Sequence, residues 1–335
     1  MTVSRAHLAS SSRSTYGTGV RDYARVALYF RPGQRVFPPS DANLAAYAAF
    51  KGRFVKVATL KVYLAAVRNH CVEQGLPYLP HGERPQLAMA LKGVKRLRKD
   101  DCAKPKLAIT LDIIRRLCEA TVGPTETRAA DDGNARTFMA AVLVGFFGLL
   151  RKDNLTTGKP DPFNPGKGLL RSDLAFTTTE DGREMAVLRL RSSKTNQMGG
   201  APHMVPLYPT GGVLCPVRAL RWHTRRVIAT ESQPLFMWLN ARKAPTPMTH
   251  RILVQRLKAG IAAIGMDPAA YSGHSLRRGG ATLAFSVAQG HQVKTHGAWR
   301  SDVAFRYNQP SRASLCVVPR AMAAAAAEGG AARSS

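Results

Sequence analysis

The amino-acid sequence predicts a mainly α-helical protein with a small antiparallel β-sheet, divided into a helical domain and a larger mixed domain. The chain has 335 residues, which is long for one domain and sufficient for two. Apolar residues recur at three- and four-residue spacing in both halves, as expected for amphipathic helices. Two short segments typical of strands, separated by turn-forming residues, predict the sheet in the second half.

The first hundred residues predict a small all-helical domain. Residues 1–13 are rich in Ser and Arg and predict a flexible N-terminus, so that the domain spans residues 14–100. Asp41–Phe50 follows a Pro-Pro pair and predicts a short helix. Thr59–Gly75 predicts a longer helix, with its Thr as the N-cap and its Gly as the stop. The apolar stripe of this helix consists of Leu60, Leu64, Val67 and Cys71.

A basic segment separates the two predicted domains. The stretch from Lys92 to Lys106 contains six Lys or Arg residues before its proline and few apolar residues. This composition is typical of a helix end that runs into a linker, which we assign to residues 101–107. The second domain is assigned to residues 108–316, and residues 317–335 form an Ala- and Gly-rich low-complexity tail.

The second domain predicts helices around a hairpin. Thr110 is placed to cap a helix, and the apolar run Phe138–Leu150 predicts a buried core helix. Strands are predicted at Met185–Arg191 and Met204–Leu207, with a turn at residues 192–196. Further helices are predicted at Val217–Ala229, His250–Ile264, Leu276–Gln289 and Ser301–Tyr307.

The charge balance indicates an anionic polymer as the partner. Forty-nine Lys and Arg residues stand against twenty-one Asp and Glu residues, which gives a formal net charge of +28. Such an excess repels itself in the compact state and is a usual feature of nucleic-acid-binding proteins. An anionic membrane surface and a generic basic protein are the alternatives that charge alone leaves open.

Cysteine usage and hydropathy favour a reducing intracellular compartment. The five cysteines lie far apart and form no CxxC pair, which argues against a disulfide framework and against a zinc site. The N-terminus lacks the apolar core of a signal peptide, and the run Phe138–Leu150 is too short to cross a bilayer. We therefore expect a soluble protein, located in the nucleus of a eukaryotic host and otherwise in the cytoplasm or nucleoid.

Four segments of the second domain contain polar residues at positions where the structure of a domain alone does not require them. They are Gly148–Leu155 with Arg151, Arg191–Thr195 with Lys194, Gly273–Thr282 with His274 and Arg277, and Trp299–Tyr307. Each one alone has an ordinary explanation, because arginines cap helix ends and hairpin lysines are usually solvated. The complete set, in this order, indicates a catalytic site.

The order Arg, hairpin Lys, His-x-x-Arg, Trp and Tyr resembles the tyrosine recombinase (phage integrase) family. The segment GHSLRRGGAT followed by W-R-S-D-x-x-x-x-Y is most similar to recombinases of DIRS-like retrotransposons and Crypton elements. The resemblance spans residues 12–316, and the N-terminal helices are similar to the core-binding domain of that family. It implies a helical catalytic domain with a small sheet, joined to a helical domain that clamps DNA.

The resemblance also implies a role for each residue of the set. The implied roles are the nucleophile Tyr307, the phosphate clamps Arg151 and Arg277, the acid for the leaving oxygen Lys194, the proton acceptor or shuttle His274, and Trp299, which donates its indole N–H toward the phosphate. The implied activity is site-specific cutting and rejoining of DNA through a 3′-phosphotyrosine intermediate.

The chemistry of phosphodiester transfer fits these residue types. Paired guanidinium groups match the charge that develops on the non-bridging oxygens. A Tyr hydroxyl with a pKa near ~10 needs a cationic site and a proton acceptor before it can attack. The leaving 5′ oxygen needs a proton, which a Lys can supply. Because the phosphotyrosine link conserves the energy of the phosphodiester, we expect no metal, no ATP and no other cofactor.

Two positions depart from the pattern of the family or compete with it. Many members carry an acidic residue three positions after the first Arg, where this chain has Asn154, with Asp153 one position earlier. The support that this position gives to Arg151 is therefore open. His296 could be taken for the equivalent of Trp299, but its spacing of eleven to the predicted nucleophile fits less well than eight.

Duplex DNA is the predicted partner, and the family resemblance implies a homotetramer assembled on it. We expect no membrane partner and no small-molecule substrate. The basic residues expected to contact DNA are Lys61, Arg68, Lys92, Lys95, Arg96, Arg98 and Lys99.

Three rival functions remain open at the level of sequence. A type IB topoisomerase uses a similar set of residues, although the N-terminal helices and the GHSLRRGGAT segment favour a recombinase. A domesticated, inactive DNA-binding descendant would be expected to have lost at least one residue of the set. An RNA-binding scaffold is the weakest alternative, because no aromatic-rich sheet for stacking bases is evident.

Overall fold

The chain divides into two compact units in the computed structural model. The structure describes residues 10–98, 105–122, 133–158, 168–191, 201–299 and 301–307. The units are Met1–Lys104 and Pro105–Ser335, so the division falls inside the segment assigned to the linker. Each unit has its own hydrophobic core.

The described part of the first unit is helical. Its helices are α1 (Ser10–Phe30), α2 (Asp41–Lys51), α3 (Val57–Glu73) and α4 (Pro85–Leu97), with a short 3-10 turn at His81–Glu83. Helix α1 packs on α3, and α2 packs on α4. The core between them consists of Tyr23, Val26, Leu44, Tyr47, Ala48, Leu60, Leu64, Val67, Leu87 and Val94.

The helix bounds in the first unit test the predicted caps. Helix α2 begins at Asp41 as predicted, and the Ser40 hydroxyl caps it by accepting a hydrogen bond from the backbone N–H of Asn43 at 3.1 Å. The prediction of Thr59 as a cap is wrong, because α3 already begins at Val57. Residues 10–13, predicted to be flexible, form the first turn of α1. Gly75 lies just beyond α3 with φ +65°, a conformation that favours glycine at a helix end.

The second unit places helices around two small sheets. Its elements are α5 (Leu111–Val122), α6 (Gly133–Phe147), α7 (Lys152–Leu155), β1 (Leu174–Thr178), β2 (Glu184–Leu190), β3 (His203–Leu207), α8 (Pro216–Arg226), β4 (Met237–Leu239), β5 (Pro245–Pro247), α9 (His250–Ala263), α10 (His274–Val287) and α11 (Gly290–His296). A final 3-10 segment spans Asp302–Tyr307. The fold is mainly α with a small antiparallel sheet, as the sequence predicted.

The three-stranded sheet has the order β1-β2-β3, and both pairings are antiparallel. In its register Leu188 of the central strand lies opposite Leu174 and Val205. The predicted hairpin corresponds to β2 and β3. Strands β1, β4 and β5 and helix α11 were not predicted, because their apolar patterns are too short to stand out in the sequence.

Helix α6 forms the centre of the larger core. Its ten residues from Thr137 to Phe146 are all buried, which is typical of a helix covered on every side. The buried helix was therefore predicted correctly, but it starts earlier and ends at Phe147 because Leu149 takes a positive φ of 50°. This change of backbone direction turns the chain away from the helix axis before Arg151. Among the described residues, none of the helices has both the length and the apolar character needed to cross a bilayer.

Candidate active site

Arg277 is the most deeply buried of the predicted site residues. It lies in the first turn of α10, and its side chain leaves the residue 3% exposed. The guanidinium Nη1 donates to the carbonyl oxygen of Leu149, and Nη2 donates to that of Gly297 at 2.7 Å. Its central carbon lies 3.9 Å from the ring centroid of Trp299, a cation–π contact. The hydrogen bonds and the aromatic face together hold this cation in a fixed orientation.

Two glycines let α10 approach the end of α6 and the segment before α5 closely. A Cβ on Gly279 would overlap the carbonyl oxygen of Ile109, and one on Gly280 would overlap that of Phe146. A side chain at position 280 would push α10 away from the end of α6, and one at position 279 would push it away from the segment before α5. The Gly-Gly pair that follows Arg278 therefore sets the distance between Arg277 and the Leu149 carbonyl.

Arg151 lies at the N-cap of the short helix α7 and is half-buried. Its backbone N–H donates to the side-chain oxygen of Asn154 at 3.2 Å, and Asn154 is itself buried. The residue that departs from the family pattern thus fixes the backbone of Arg151 through a capping interaction. The amide of Asn154 supplies the acceptor that an acidic side chain would supply there.

Asp153 and His250 form a polar network on the other side of α7. The Thr156 hydroxyl donates to the Lys152 carbonyl at 2.7 Å and lies 2.6 Å from His250 Nδ1. His250 Nε2 lies 3.1 Å from the Asp153 carboxylate. The two ring nitrogens of His250 therefore contact both ends of α7.

The same contacts keep Asp153 ionised. The hydrogen bond from His250, followed by that from Lys152, holds the pKa of Asp153 well below its usual range. His250 begins α9, and its backbone N–H donates to the Thr157 carbonyl at 2.8 Å. The segment that follows Arg151 is thus fastened to the start of α9. No sequence pattern indicates this partner, because His250 lies nearly a hundred residues from α7.

His274 is the first residue of α10 and has an exposed side chain. Desolvation by the surrounding atoms lowers the pKa of His274, and the positive charges of Arg277, Arg151 and Arg278 lower it further. The structure therefore brings His274 into the electrostatic field of both predicted clamps. A histidine with a lowered pKa is neutral at pH 7, which leaves one ring nitrogen able to accept a proton.

Trp299 is buried beside the 3-10 segment that ends at Tyr307. It packs in a small cluster with Leu149, Ala281, Val293 and Ala304. Ala304 belongs to the 3-10 segment, which also packs against α10 and α11. The backbone that leads to Tyr307 therefore continues directly from the cluster that contains Trp299, the ring on which Arg277 stacks.

His296, the competing candidate, has a different environment. Its Nε2 lies 2.9 Å from the Phe147 carbonyl oxygen, and its own carbonyl oxygen lies 3.0 Å from His203 Nε2. These contacts join the end of α6 to β3 through α11. Lys194, the remaining residue of the predicted set, lies outside the described residues.

The residues predicted to contact DNA fall on two helices of the first unit. Lys61 and Arg68 are exposed on α3, and the exposed cations of α4 are Lys92, Lys95 and Arg96. Arg98 has another task, since its Nη1 donates to the carbonyl oxygens of Gly52 at 2.8 Å and Val55 at 2.7 Å. Lys99 lies outside the described residues. In the part of the chain that the structure describes, no group of three His, Cys, Asp or Glu residues could hold a metal ion.

Three solved structures share this fold at low sequence identity. The XerH site-specific recombinase bound to difH matches with a TM-score of 0.58 and 14% identity, over 90% of this chain and 77% of that one. A lambda integrase(75-356) dimer bound to a COC' core site matches with a TM-score of 0.55 and 14% identity, over 90% and 89%. The Tn1549 transposon integrase in complex with transposon right end DNA matches with a TM-score of 0.55 and 12% identity, over 92% and 93%.

These similarities establish the fold, which is that of the tyrosine recombinases. They extend over both units of the chain, since about nine tenths of it is covered. No protein-family model matches the sequence, and neither does any curated protein.

Proposed function

We propose that this protein is a site-specific recombinase that cuts and rejoins duplex DNA through a 3′-phosphotyrosine formed by Tyr307. The observation that carries the proposal is the convergence of Arg277, Arg151 and His274, in which a buried guanidinium rests on Trp299. Clustered cations repel one another, and an anion placed among them relieves that repulsion. The scissile phosphate of DNA is the anion that the fold and the charge of +28 both favour.

The proposed chemistry assigns Arg277 and Arg151 to the phosphate. Arg277 is held by the carbonyls of Leu149 and Gly297 through its two terminal nitrogens, so its orientation does not need to be established when DNA binds. Charge grows on the non-bridging oxygens during in-line attack, and fixed donors stabilise it without reorganisation. Trp299 fixes the plane of the guanidinium; donation of its indole N–H to the phosphate remains part of the proposal.

Two proton transfers complete the proposed reaction. His274, which is neutral at pH 7 because of its lowered pKa, accepts the proton of the Tyr307 hydroxyl as that oxygen attacks phosphorus. Lys194 donates a proton to the leaving 5′ oxygen. Religation reverses both transfers. The balance of atoms and charge requires no metal, no nucleotide and no other cofactor.

The basic first unit is proposed to hold the duplex, with α3 and α4 facing its phosphates. Recombination cuts four strands in two duplexes, so the proposed active assembly is a homotetramer built on DNA. The segment after Tyr307 is proposed to link neighbouring protomers in a closed ring. The GHSLRRGGAT segment, with its two close-approach glycines, supports a relationship to the recombinases of DIRS-like and Crypton elements.

A nicked suicide substrate tests the proposal. The nick lets the short 5′ fragment diffuse away after cleavage, so a covalent protein–DNA adduct accumulates and can be detected on a denaturing gel. The wild-type adduct should map to Tyr307, and Tyr307→Phe should abolish it while DNA affinity stays within about two-fold, because one oxygen is removed and the ring remains. Tyr208→Phe and Tyr271→Phe are the matched controls and should keep the adduct.

Three results would contradict the proposal. An adduct that persists in Tyr307→Phe would assign the nucleophile elsewhere. Tight DNA binding without any adduct in the wild-type protein would favour the inactive DNA-binding descendant. Relaxation of supercoiled DNA without joining of two duplexes would instead favour the topoisomerase-like alternative.

A further inference from the structure

Four aromatic rings form a continuous row on the first unit, whereas the residues of the proposed reaction belong to the second. Tyr29 and Phe30 end α1, Phe50 lies near the end of α2, and Phe54 follows in the next turn. Successive ring centroids are 5.2, 5.0 and 5.3 Å apart. We call this row the aromatic ladder.

The aromatic ladder is largely exposed to solvent. Tyr29 is 77% exposed, Phe54 65% and Phe30 50%, while Phe50 packs against the core of the unit. Single exposed apolar residues need no explanation, but a contiguous aromatic row on a protein surface marks a binding surface. The pairs Tyr29–Phe30 and Phe30–Phe50 are nearly perpendicular, at 82° and 81°, the edge-to-face arrangement that aromatic pairs prefer.

Cations border the aromatic ladder. Arg31 follows Phe30 and is exposed, and Arg53 precedes Phe54 and is exposed. Arg25 lies four residues before Tyr29 on α1, and hence on the same helix face. The border therefore favours an anionic partner.

Acidic residues do not neutralise this border. Between residues 10 and 73 the sequence contains Asp22, Asp41 and Glu73. Asp22 binds Lys51 at 2.6 Å, and Asp41 accepts the backbone N–H groups of Gln86 and Leu87 at the start of α4. Both aspartates are used in packing the unit.

We propose that the aromatic ladder binds an unpaired DNA strand by stacking its bases on Tyr29, Phe30 and Phe54, while the bordering arginines contact its phosphates. Proteins bind single-stranded nucleic acid with aromatic rings beside cations, because each base can stack on a ring and each phosphate linkage carries a negative charge. A second copy of this chain fits less well. Two identical surfaces brought together would place arginine against arginine.

The binding of unpaired DNA goes beyond the proposed function and is independent of its chemistry. Strand cleavage uses the second unit, whereas the aromatic ladder lies wholly within the first. Tyr307→Phe should therefore bind unpaired DNA as the wild type does. Loss of recombination and loss of strand binding are separate outcomes.

The test compares the affinity of the full-length protein for a labelled oligo-dT strand with its affinity for a duplex of equal length, by fluorescence anisotropy. The double variant Tyr29→Ser, Phe54→Ser should bind the single strand at least about ten-fold more weakly, with duplex affinity within about two-fold. Val72→Ser, Met89→Ser is the matched control, since these residues are 63% and 73% exposed in the same unit and lie off the ladder. The double variant Tyr29→Trp, Phe54→Trp keeps an aromatic ring at both positions and should bind the single strand about as tightly as the wild type.

Three results would overturn the assignment. The first is an unchanged single-strand affinity in a folded Ser variant, with folding checked by circular dichroism. The second is tighter binding of an oligo-U strand than of oligo-dT, which would assign the surface to RNA. The third is a lower molar mass of the Ser variant in light scattering, which would make the ladder a contact between copies.

Discussion

Among the described residues, each unit buries one arginine, and the two arginines are held in a similar way. Arg84 in the first unit is 2% exposed, and Arg277 in the second is 3% exposed. Arg84 donates from Nε to the Leu79 carbonyl at 3.0 Å and stacks on Tyr78 at 4.2 Å. Arg277 donates to two carbonyl oxygens and stacks on Trp299 at 3.9 Å. Burial, carbonyl acceptors and an aromatic face thus occur in both units.

The titratable groups beside the two arginines differ. Tyr23, Tyr78 and Cys71 lie near Arg84, and burial raises the pKa of each of them, so they remain neutral at pH 7 although Arg31 and Arg68 are also near. Beside Arg277 lies His274, whose pKa is lowered by desolvation and further by the charges of Arg277, Arg151 and Arg278. Arg84 therefore completes a core, whereas Arg277 stands beside a histidine that can accept a proton. A proton acceptor beside clustered arginines, more than burial of one arginine, distinguishes a candidate site from a structural element.

The largest expected effect is on cleavage and follows from Arg277→Ala. Removing one fixed donor from the transition state should slow the formation of covalent adduct by about 10²–10³-fold. Single-turnover cleavage of the nicked substrate, at saturating protein, measures this rate. Arg278→Ala, which changes the neighbouring charge, serves as the control and should lose far less. An equal loss of cleavage rate in both variants would show that Arg277 contributes only positive charge near the site and no specific contact with the phosphate.

The residual activity of Arg277→Ala should also respond differently to pH. Arg277 is the first of the charges that lower the pKa of His274, so its removal should raise that pKa. A proton acceptor must be deprotonated to act, and cleavage is lost as pH falls through its pKa. The acid limb of the pH–rate profile should therefore move to higher pH in the variant. An unmoved limb would assign it to a group other than His274.

Arg84→Leu should lower stability and leave the chemistry intact. The change leaves the carbonyl oxygens of Leu79 and Pro39 without their donor, so the first unit should lose about 2–4 kcal/mol of unfolding free energy. All three tryptophans lie in the second unit, so tryptophan fluorescence follows that unit alone. Circular dichroism should show an earlier partial transition in the variant, while the tryptophan transition stays in place. A large loss of adduct per folded molecule would show that Arg84 also serves catalysis.

Local sequence patterns predicted the elements that depend on neighbouring residues. Thr110 accepts the Ile113 N–H at 3.3 Å as a predicted cap, and the apolar period placed α2, α3 and α9 within a few residues of their bounds. The order of the site residues also came from local motifs. Thr59 failed as a cap because the apolar stripe continues one turn earlier, to Val57.

Contacts between distant segments could not be predicted in this way. The glycines at 279 and 280 stand out in the sequence, but the carbonyls they approach belong to residues 109 and 146. Arg98 was grouped with surface cations, yet two carbonyls on the α2–α3 connection accept from it. The network of His250 is another case, because hydrogen bonds across nearly a hundred residues leave no periodic signal.

His250→Ala should slow cleavage about ten-fold without unfolding the protein. Removing the ring leaves Asp153 and the Thr156 hydroxyl without the side chain that both contact, and α7 becomes free to shift together with Arg151. Gln255→Ala, an exposed change on the same helix, is the control and should have no effect. His250→Gln should recover part of the rate, because its amide can still donate. A rate equal to wild type would show that Asn154 alone positions Arg151.

The smallest expected effect concerns the exposed cations of α4. Lys92→Gln, Lys95→Gln, Arg96→Gln removes three charges that are exposed on one helix, and each phosphate that is no longer neutralised should flatten the plot of log K against log salt by at most about 0.9. Duplex binding measured across a range of salt concentrations gives this slope. Arg98→Gln is the informative counterpart, because its guanidinium holds the carbonyls of Gly52 and Val55. That variant should lower the unfolding temperature of the first unit while the slope changes little. If Arg98→Gln instead flattened the slope as much as the triple variant does, the separation between cations that build the unit and cations that meet DNA would fail.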